Sequence, residues 1–157
     1  MSCRVQLEDF DPGAELSRLS AGKSHVGAVA SFIGLVRGAG DGVSAMTLEH
    51  YPGMTERQLV AIEQEARQRW PLDDVSVIHR FGRLLPGDRI VFVAVTSGHR
   101  AAAFAACEFL VDWLKNRAPF WKLEETDLGS RWVAAKEDDE ARAERWETAS
   151  AQPKGEM

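Results

Sequence analysis

Four basic side chains lie within one short stretch of an otherwise acidic chain. The sequence has 157 residues and a formal net charge of −5. The stretch from Thr96 to Lys122 has four basic and two acidic residues, a formal charge of +2 with histidine neutral, and its cations are Arg100, Lys115, Arg117 and Lys122. Cations gathered on one segment of an acidic protein favour a particular small anion over a polyanionic polymer. The stretch therefore predicts a pocket for a phosphate or a carboxylate.

Most of this stretch has the spacing of an amphipathic helix. Over about residues 100–116, apolar side chains recur three and four positions apart, at Ala106, Phe109, Leu110, Trp113 and Leu114. Ser97 and Gly98 are suitable N-cap residues, which puts His99 and Arg100 in the first turn. Free N–H groups and the positive end of the helix dipole favour an anion there.

A proline ends the helix and redirects the chain. Because the residue before a proline is disfavoured in helical geometry, residues 117–119 are predicted to be extended. They would carry a basic loop, Phe120-Trp121-Lys122, back along the surface. Either aromatic residue could line a channel for a partner's tail or anchor the core.

Length and composition predict one domain. A chain of this size buries about two thirds of its unfolded surface, so residues 1–148 are expected to form one domain and 149–157 a frayed tail. Cys3 and Cys107 form neither a disulfide framework nor a CxxC pair, which favours a reducing cytoplasm. With no secretory signal, no apolar run near roughly 18 residues and no RNP-like or zinc-finger pattern, neither a membrane nor a nucleic acid is expected as a partner.

The flanking segments alternate strand and helix patterns. Strands are predicted over 25–36, 43–51, 75–83 and 89–96, with the last one central and antiparallel to 75–83 through a type II turn at Pro86-Gly87. A helix is expected from Asp11 to Gly22, and a second, with Thr55 and Gln58 as a capping box, ends before Pro71. An edge strand within 1–10, a short strand at 132–133 and a charged helix over 136–147 anchored by Trp146 complete the prediction.

Several short motifs resemble nucleotide-binding, metal-binding or reactive-thiol sites but do not meet the requirements of those sites. Gly22-Lys23-Ser24 lacks the first glycine of a nucleotide-binding loop, and Gly38, Gly40 and Gly42 fit a flexible lid or hairpin connection rather than a dinucleotide fingerprint. The acidic run 137–140 fits a helix start, and the four histidines lack metal-ligand spacing, so no metal is expected. Cys107 lies beside the apolar stripe, where an inert buried thiol is the usual finding.

Six segments together resemble one family, the large catalytic subunit of molybdopterin synthase (MoaE). They are SFIGLVRG (31–38), TLEHYPGMTE (47–56), RWPL (69–72), VIHRFGRLLPGD (77–88), TSGHRAAAF (96–104) and LKNRAPFWK (114–122). The resemblance covers about residues 25–146 in unbroken order. It implies an α/β fold of the two-layer α+β type, with a mostly antiparallel sheet packed against helices.

The resemblance also implies an activity and its partners. A homodimer would lie at the centre of a heterotetramer, with a small ubiquitin-like sulfur-carrier subunit at each end. The thiocarboxylate on the carrier's C-terminal Gly-Gly tail would pass sulfur in two rounds to cyclic pyranopterin monophosphate, forming the dithiolene of molybdopterin. The family requires no metal or other cofactor at this step.

The family's functional positions fall on residues present here. Lys115 and Lys122 match the lysines at the reacting centre, and Lys115 is the better candidate for direct chemistry. Arg37, His99 and Arg100 match residues that hold the phosphate and pterin, and they are expected to converge. The implied substrate-binding set is Leu35, Val36, Arg37, His99, Arg100, Lys115, Lys122, Leu123 and Glu124. Leu35 and Leu123 replace basic residues of other members, so any contribution there would come from main-chain groups.

Two other classes of function remain as alternatives. A binding module that only captures a phosphorylated pterin or a carboxylate would need the arginines and His99, but it has no use for Lys115. A hydrolase using Cys107 or a serine lacks a recognisable nucleophile elbow or base partner.

Overall fold

The structure, a computed structural model, describes residues 3–38, 42–133 and 137–150. Within these ranges the chain forms eight strands and four helices. In chain order they are β1 (Cys3–Gln6), α1 (Pro12–Ser20), β2 (Ala28–Leu35), β3 (Val43–His50), α2 (Met54–Arg69), β4 (Asp74–Arg80), β5 (Gly82–Leu84), β6 (Arg89–Ser97), α3 (Arg100–Asn116), β7 (Phe120–Thr126), β8 (Gly129–Val133) and α4 (Glu137–Ser150). The predicted α+β class with mostly antiparallel pairing is confirmed.

The first sheet has the strand order β1-β4-β6-β2. Only the β1–β4 pair is parallel, and β1 is the predicted edge strand. β6 lies between β4 and β2 and is buried from Ile90 to Ser97, as its unbroken apolar sequence predicts. One face of β6 (Val91, Val93, Val95) joins the main core, while Phe92 and Ala94 pack with Leu19 of α1 on the other face.

The second sheet, in the order β5-β3-β7-β8, corrects two predictions. The single strand expected over 75–83 is two strands in different sheets, because Gly82, with φ +89°, turns the chain from β4 to β5. A hairpin across Gly38–Gly42 is also wrong, since β2 pairs with β6 whereas β3 pairs with β5 and β7. Residues 39–41 of that connection, the predicted flexible lid, lie outside the described residues.

The predicted turn before β6 is confirmed. Gly87 has φ +91°, as the third position of a type II turn requires. The N–H of Asp88 donates to the carbonyl of Leu85 at 2.9 Å and closes the turn. Its side chain also accepts from the N–H of Leu85 at 2.8 Å.

The helix boundaries agree with the prediction, and Asp11 is the N-cap of α1 as expected, but the N-caps of α2 and α3 differ. The N-cap of α3 is His99 rather than Ser97 or Gly98, because Ser97 belongs to β6. The N-cap of α2 is Gly53, whose N–H donates to the Glu56 carboxylate. The predicted Thr55–Gln58 capping box is therefore wrong, and Thr55 lies buried inside the first turn.

The chain beyond α3 is a strand and not the predicted loop. Arg117 keeps helical angles (φ −105°, ψ −17°), so the expected extended geometry begins later than predicted. Phe120, Trp121 and Lys122 are the first residues of β7, which pairs with β3 on one side and β8 on the other. The local sequence predicted a loop at these residues, but hydrogen bonds to strands distant in the chain make them part of a sheet.

Helix α4 is fixed to α3 by its predicted anchor. The indole N–H of Trp146 donates to the buried Asp112 carboxylate at 2.7 Å, and its ring meets Trp70 and Phe109 edge-on. α4 continues to Ser150, so the predicted tail overlaps the helix at 149–150, and residues 151–157 lie outside the described part of the chain. The domain limits 1–148 stay a prediction. Across the described ranges, no helix is long and apolar enough to span a bilayer.

Candidate active site

The two ends of α3 carry different parts of the predicted site. His99 and Arg100 lie at its start, and Lys115 lies in its last turn. At a rise of 1.5 Å per residue, the 15 positions between Arg100 and Lys115 span about 22 Å. One small anion cannot touch both ends of the same helix.

Arg37 lies at the Lys115 end. β2 runs antiparallel to β6, with Ala28 opposite Ser97 and Leu35 opposite Arg89. α3 begins just after Ser97 and runs back along the sheet, so its last turn approaches the Leu35 end. The ammonium of Lys115 is 6.0 Å from the ring centroid of Phe32, three residues before the end of β2.

The predicted convergence of Arg37, His99 and Arg100 is therefore wrong within one chain. The start of β2 and the start of α3 are in close contact. Gly27 lies so near the carbonyl oxygen of Gly98 that a Cβ on Gly27 would be only 2.2 Å from it. The eight-residue β2 then spans about 25 Å before it reaches Arg37. Helix and strand length together separate the two groups.

Lys122 reaches the same region from the second sheet. It lies opposite Leu48 of β3, which is 1% exposed, so both side chains share the face that points into the core. Glu124 is on that face too and forms an ion pair with Arg131 at 3.4 Å. Leu123 points to the opposite face, opposite Thr47, which leaves only its backbone to contribute to a site beside Lys122.

Leu35 and Val36, at the end of β2, differ in burial. Leu35 is 54% exposed, whereas Val36 is buried. The N–H of Val36 donates to the carbonyl of Asp88, and its carbonyl accepts from the N–H of Gly87. Val36 thus fixes the end of β2 to the type II turn, which sets the direction in which Arg37 leaves the sheet.

Two histidines for which the sequence predicted no role lie beside Phe120. His79 of β4 stacks on Phe120, with ring centroids 3.8 Å apart and planes 16° apart. His50 of β3 lies 4.5 Å from Phe81 and 6.1 Å from Phe120, measured between centroids. The pattern Val75, Val77, His79 on one face of a strand could have indicated a core-facing imidazole.

The imidazole of His79 is neutral. Burial is the main cause that lowers its pKa to about 3 from an ordinary 6.5, and the charges of Lys115, Lys122 and His50 act in the same direction. The hydrogen bond of Nδ1 with the Arg80 carbonyl, at 2.8 Å, opposes this shift. The positive charges of both lysines thus add to the effect of burial and disfavour protonation of His79.

This low pKa predicts acid sensitivity. Between pH 6.5 and about 3, the unfolded chain binds a proton on His79 that the folded chain does not, so the free energy of unfolding falls as the pH falls. From pH 7 to 5 we expect a loss of about 2 kcal/mol that is absent in His79→Phe. Urea unfolding of both proteins at several pH values measures this difference. Parallel pH profiles would contradict it, since the carboxylates titrate mainly at lower pH.

A groove of about 630 Å³ lies between β2 and α3 and ends at Lys115. Its lining includes Phe32, Phe104, Cys107, Glu108, Val111 and Lys115. Burial, with a smaller contribution from the charge of Glu108, raises the pKa of the Cys107 thiol to about 11. Cys107 is therefore a thiol and a poor nucleophile at neutral pH, which supports the structural interpretation. Among the described residues, no group of three or more His, Cys, Asp or Glu could hold a metal ion.

Comparison with known proteins gives one consistent family. The family model described as MoaE protein matches residues 5–117. A molybdopterin synthase catalytic subunit from Ralstonia nicotianae is 60% identical over 145 residues, which is 91% of this chain and 82% of that protein.

Solved structures support the same fold. A molybdopterin biosynthesis MoaE protein from Burkholderia ambifaria superimposes with a TM-score of 0.79 at 53% identity, over 93% of this chain and 97% of that one. A structure from Helicobacter pylori, described as a complex of subunits 1 and 2 of molybdopterin-converting factor, has a TM-score of 0.70 at 19% identity, over 87% of this chain and 92% of that one. The second likeness concerns the fold alone.

Proposed function

The chain belongs to the MoaE protein family, and from this premise we propose that it is the catalytic subunit of a molybdopterin synthase. It is a sulfurtransferase that moves sulfur from the thiocarboxylated C-terminus of a small ubiquitin-like carrier to cyclic pyranopterin monophosphate. The observation that carries the proposal is that two separate elements each direct a lysine towards the core: Lys115 of α3 lies 6.0 Å from the Phe32 ring, and Lys122 of β7 lies opposite the buried Leu48. Both cysteines are free thiols, which fits a cytoplasmic enzyme.

The proposed reaction needs positive charge at two stages. The thiocarboxylate sulfur first forms a bond to a substrate carbon while a carbon–oxygen bond at that carbon breaks and the departing oxygen takes a proton, which makes a thioester between carrier and pterin. Water then attacks the thioester carbonyl, the acyl–sulfur bond breaks, and the carrier leaves as a carboxylate while sulfur stays on the substrate. An ammonium can balance the thiocarboxylate, stabilise the oxyanion of the second stage and donate a proton. We assign these roles to Lys115, and we assign orientation of the substrate or the tail to Lys122.

A substrate site that also uses His99 and Arg100 must draw them from a second protomer. We propose a homodimer in which the first turn of α3 of one protomer lies beside Arg37 and Lys115 of the other. The substrate phosphate would then lie between arginines of two chains, near the N-terminus of a helix. Leu35, Val36, Leu123 and Glu124 would contribute to this site mainly through backbone position.

Strand β2 has an edge that could pair with the same edge of a second protomer. Among the described strands it pairs on one side only, and its outward-facing Val29 and Ile33 are 42% and 39% exposed. On the other face of β2, beside Ala30 and Phe32, Phe104 of α3 is 65% exposed. Two β2 edges paired antiparallel about a two-fold axis would bring the Ala28 end of one chain beside the Leu35 end of its partner. That arrangement closes the distance between the two halves of the site.

The carrier tail is proposed to approach along the surface near Trp121. Phe120 is a core anchor, because it stacks on His79. Trp121 is 40% exposed and meets the exposed Tyr51 edge-on, with centroids 4.5 Å apart. Of the two aromatic residues, Trp121 is thus the one available to a partner. Two such carriers on a homodimer give the proposed heterotetramer.

Truncating the carrier tests the proposal. Removal of its last two residues should abolish dithiolene formation, because no acyl group then reaches the lysines, while association survives through the surrounding interface. Calorimetry measures association, and detection of the dithiolene after incubation with precursor measures transfer. Full activity of the truncated carrier would rule out tail insertion.

A further inference from the structure

His79 is a buried histidine that stacks on Phe120, two residues before Lys122 on β7. It follows Val75 and Val77 on the face of β4 that points into the main core, and it is 6% exposed. Its neighbour across the sheet is Val91 of β6, and the next in that row is Gly34 of β2. The row ends beside Phe32, whose ring lies under Lys115.

The hydrogen bond to Arg80 fixes the tautomer of His79. The Arg80 carbonyl, 2.8 Å from Nδ1, can only accept a hydrogen bond, so Nδ1 carries the proton. A neutral ring protonated at Nδ1 has an unprotonated Nε2. This nitrogen is a hydrogen-bond acceptor.

The elements around this ring carry side chains that can donate a hydrogen bond. Phe120 covers one face of the ring, and Lys122 is two residues further along β7 on the same face of the strand. Lys115 approaches from α3 and His50 from β3, and the charges of all three act on His79. Arg80, on the same strand as His79, is directed elsewhere, since its guanidinium donates to the carbonyls of Leu7 and Arg89.

We propose that His79 is a positioning residue for the lysine pair: its Nε2 accepts a hydrogen bond from a lysine ammonium and holds that ammonium at the reacting centre. The proposal rests on the proposed function for what the lysines do. A neutral acceptor suits this task, because it orients an ammonium without neutralising the charge as a carboxylate would. It also does not compete for the proton that the ammonium would donate.

Three substitutions separate this role from a structural one. His79→Gln keeps an acceptor at the reach of Nε2, His79→Asn keeps a donor for the Arg80 carbonyl, and His79→Phe keeps the stack on Phe120. We expect His79→Gln to retain the single-turnover rate of sulfur transfer within about threefold, and the other two to lose about tenfold or more. Affinity for precursor should stay within about twofold in all three.

The pH profile supplies a second readout. An ammonium that loses its acceptor loses a contact that favours its charged form, so the alkaline limb of the rate profile should move to lower pH in His79→Phe and stay in place in His79→Gln. Wild-type rate and profile in His79→Asn or His79→Phe would overturn the proposal. So would equal losses in all three variants that follow their loss of stability.

A measurement on the wild-type protein avoids the risk that a variant fails to fold. Nitrogen-15 NMR of labelled histidine should show His79 protonated at Nδ1 near pH 7, with an Nε2 signal that shifts in Lys115→Ala or Lys122→Ala. A ring protonated at Nε2, or a signal that neither substitution moves, would refute the proposal. This readout does not depend on sulfur transfer, so its failure is distinguishable from failure of the proposed function.

Discussion

Replacing Lys115 with alanine or with arginine is expected to lower the single-turnover rate of dithiolene formation by about 10²-fold or more. The chain should still fold, dimerise and bind the carrier. Arginine keeps the charge, but its broad guanidinium stays protonated and cannot take the place of the compact ammonium that lies 6.0 Å from the Phe32 ring. If Lys115 served only the helix dipole at the end of α3, alanine would cost about 0.3–1 kcal/mol of stability and no activity.

Arg117 provides a matched control for this substitution. It is the other cation at the end of α3, and it forms an ion pair with Glu147 at 3.0 Å on the α4 side. Arg117→Ala should leave the transfer rate within a few-fold of wild type, because an exposed ion pair contributes little. Near wild-type product from Lys115→Arg would mean that only the charge matters, and proton transfer would pass to Lys122.

Mixed dimers of two impaired variants are expected to regain activity. In a dimer of Lys115→Ala and Arg100→Ala chains, one shared site carries both substitutions and the other carries neither. Random association makes half of the dimers mixed, so about a quarter of all sites should be intact. Arg100→Ala should weaken precursor binding by about 1.5–3 kcal/mol. Rates are therefore compared at precursor concentrations below the dissociation constant of the Arg100→Ala variant, where weaker binding lowers the rate.

The alternative arrangement predicts a different outcome. If each site belonged to one chain, every site in a mixed dimer would carry one defect, and mixing would restore nothing. A double variant paired with wild type is the control, because one chain then carries both defects and each shared site receives one of them. Activity of that pair near half of wild type, with no gain in the mixed dimer, would contradict the shared site.

Local patterns predicted the elements of this fold well. The limits of α3 and the buried stripe of Ala106, Phe109 and Leu110 follow from side-chain spacing, which depends on near neighbours alone. The central place of β6 follows from its unbroken apolar sequence. The predictions at Gly82 and at Phe120–Lys122 were wrong where the chain passes from one sheet to the other. Pairing with a strand that is distant in the chain cannot be predicted from the spacing of nearby side chains.

The arrangement of the site was only partly accessible from the sequence. Lys115 and Lys122 were assigned through a resemblance, while the opposite positions of Arg100 and Lys115 follow from helix length alone and could have been calculated. His79 was missed because a single histidine in a strand is most often a satisfied core residue. Its role depends on Phe120 and the lysines, which three other segments of the fold bring to it.

The most direct test follows the sulfur itself. The carrier is prepared with ³⁴S in its C-terminal thiocarboxylate and is mixed with this protein and cyclic pyranopterin monophosphate, and the product is analysed by mass spectrometry. The account predicts a dithiolene with two labelled sulfur atoms and two carriers left as carboxylates, with almost no product from Lys115→Ala. Unlabelled product would contradict the assignment of this chain as the sulfur-transferring subunit. Precursor recovered unchanged after mixing with the wild-type protein and the thiocarboxylated carrier would contradict it too.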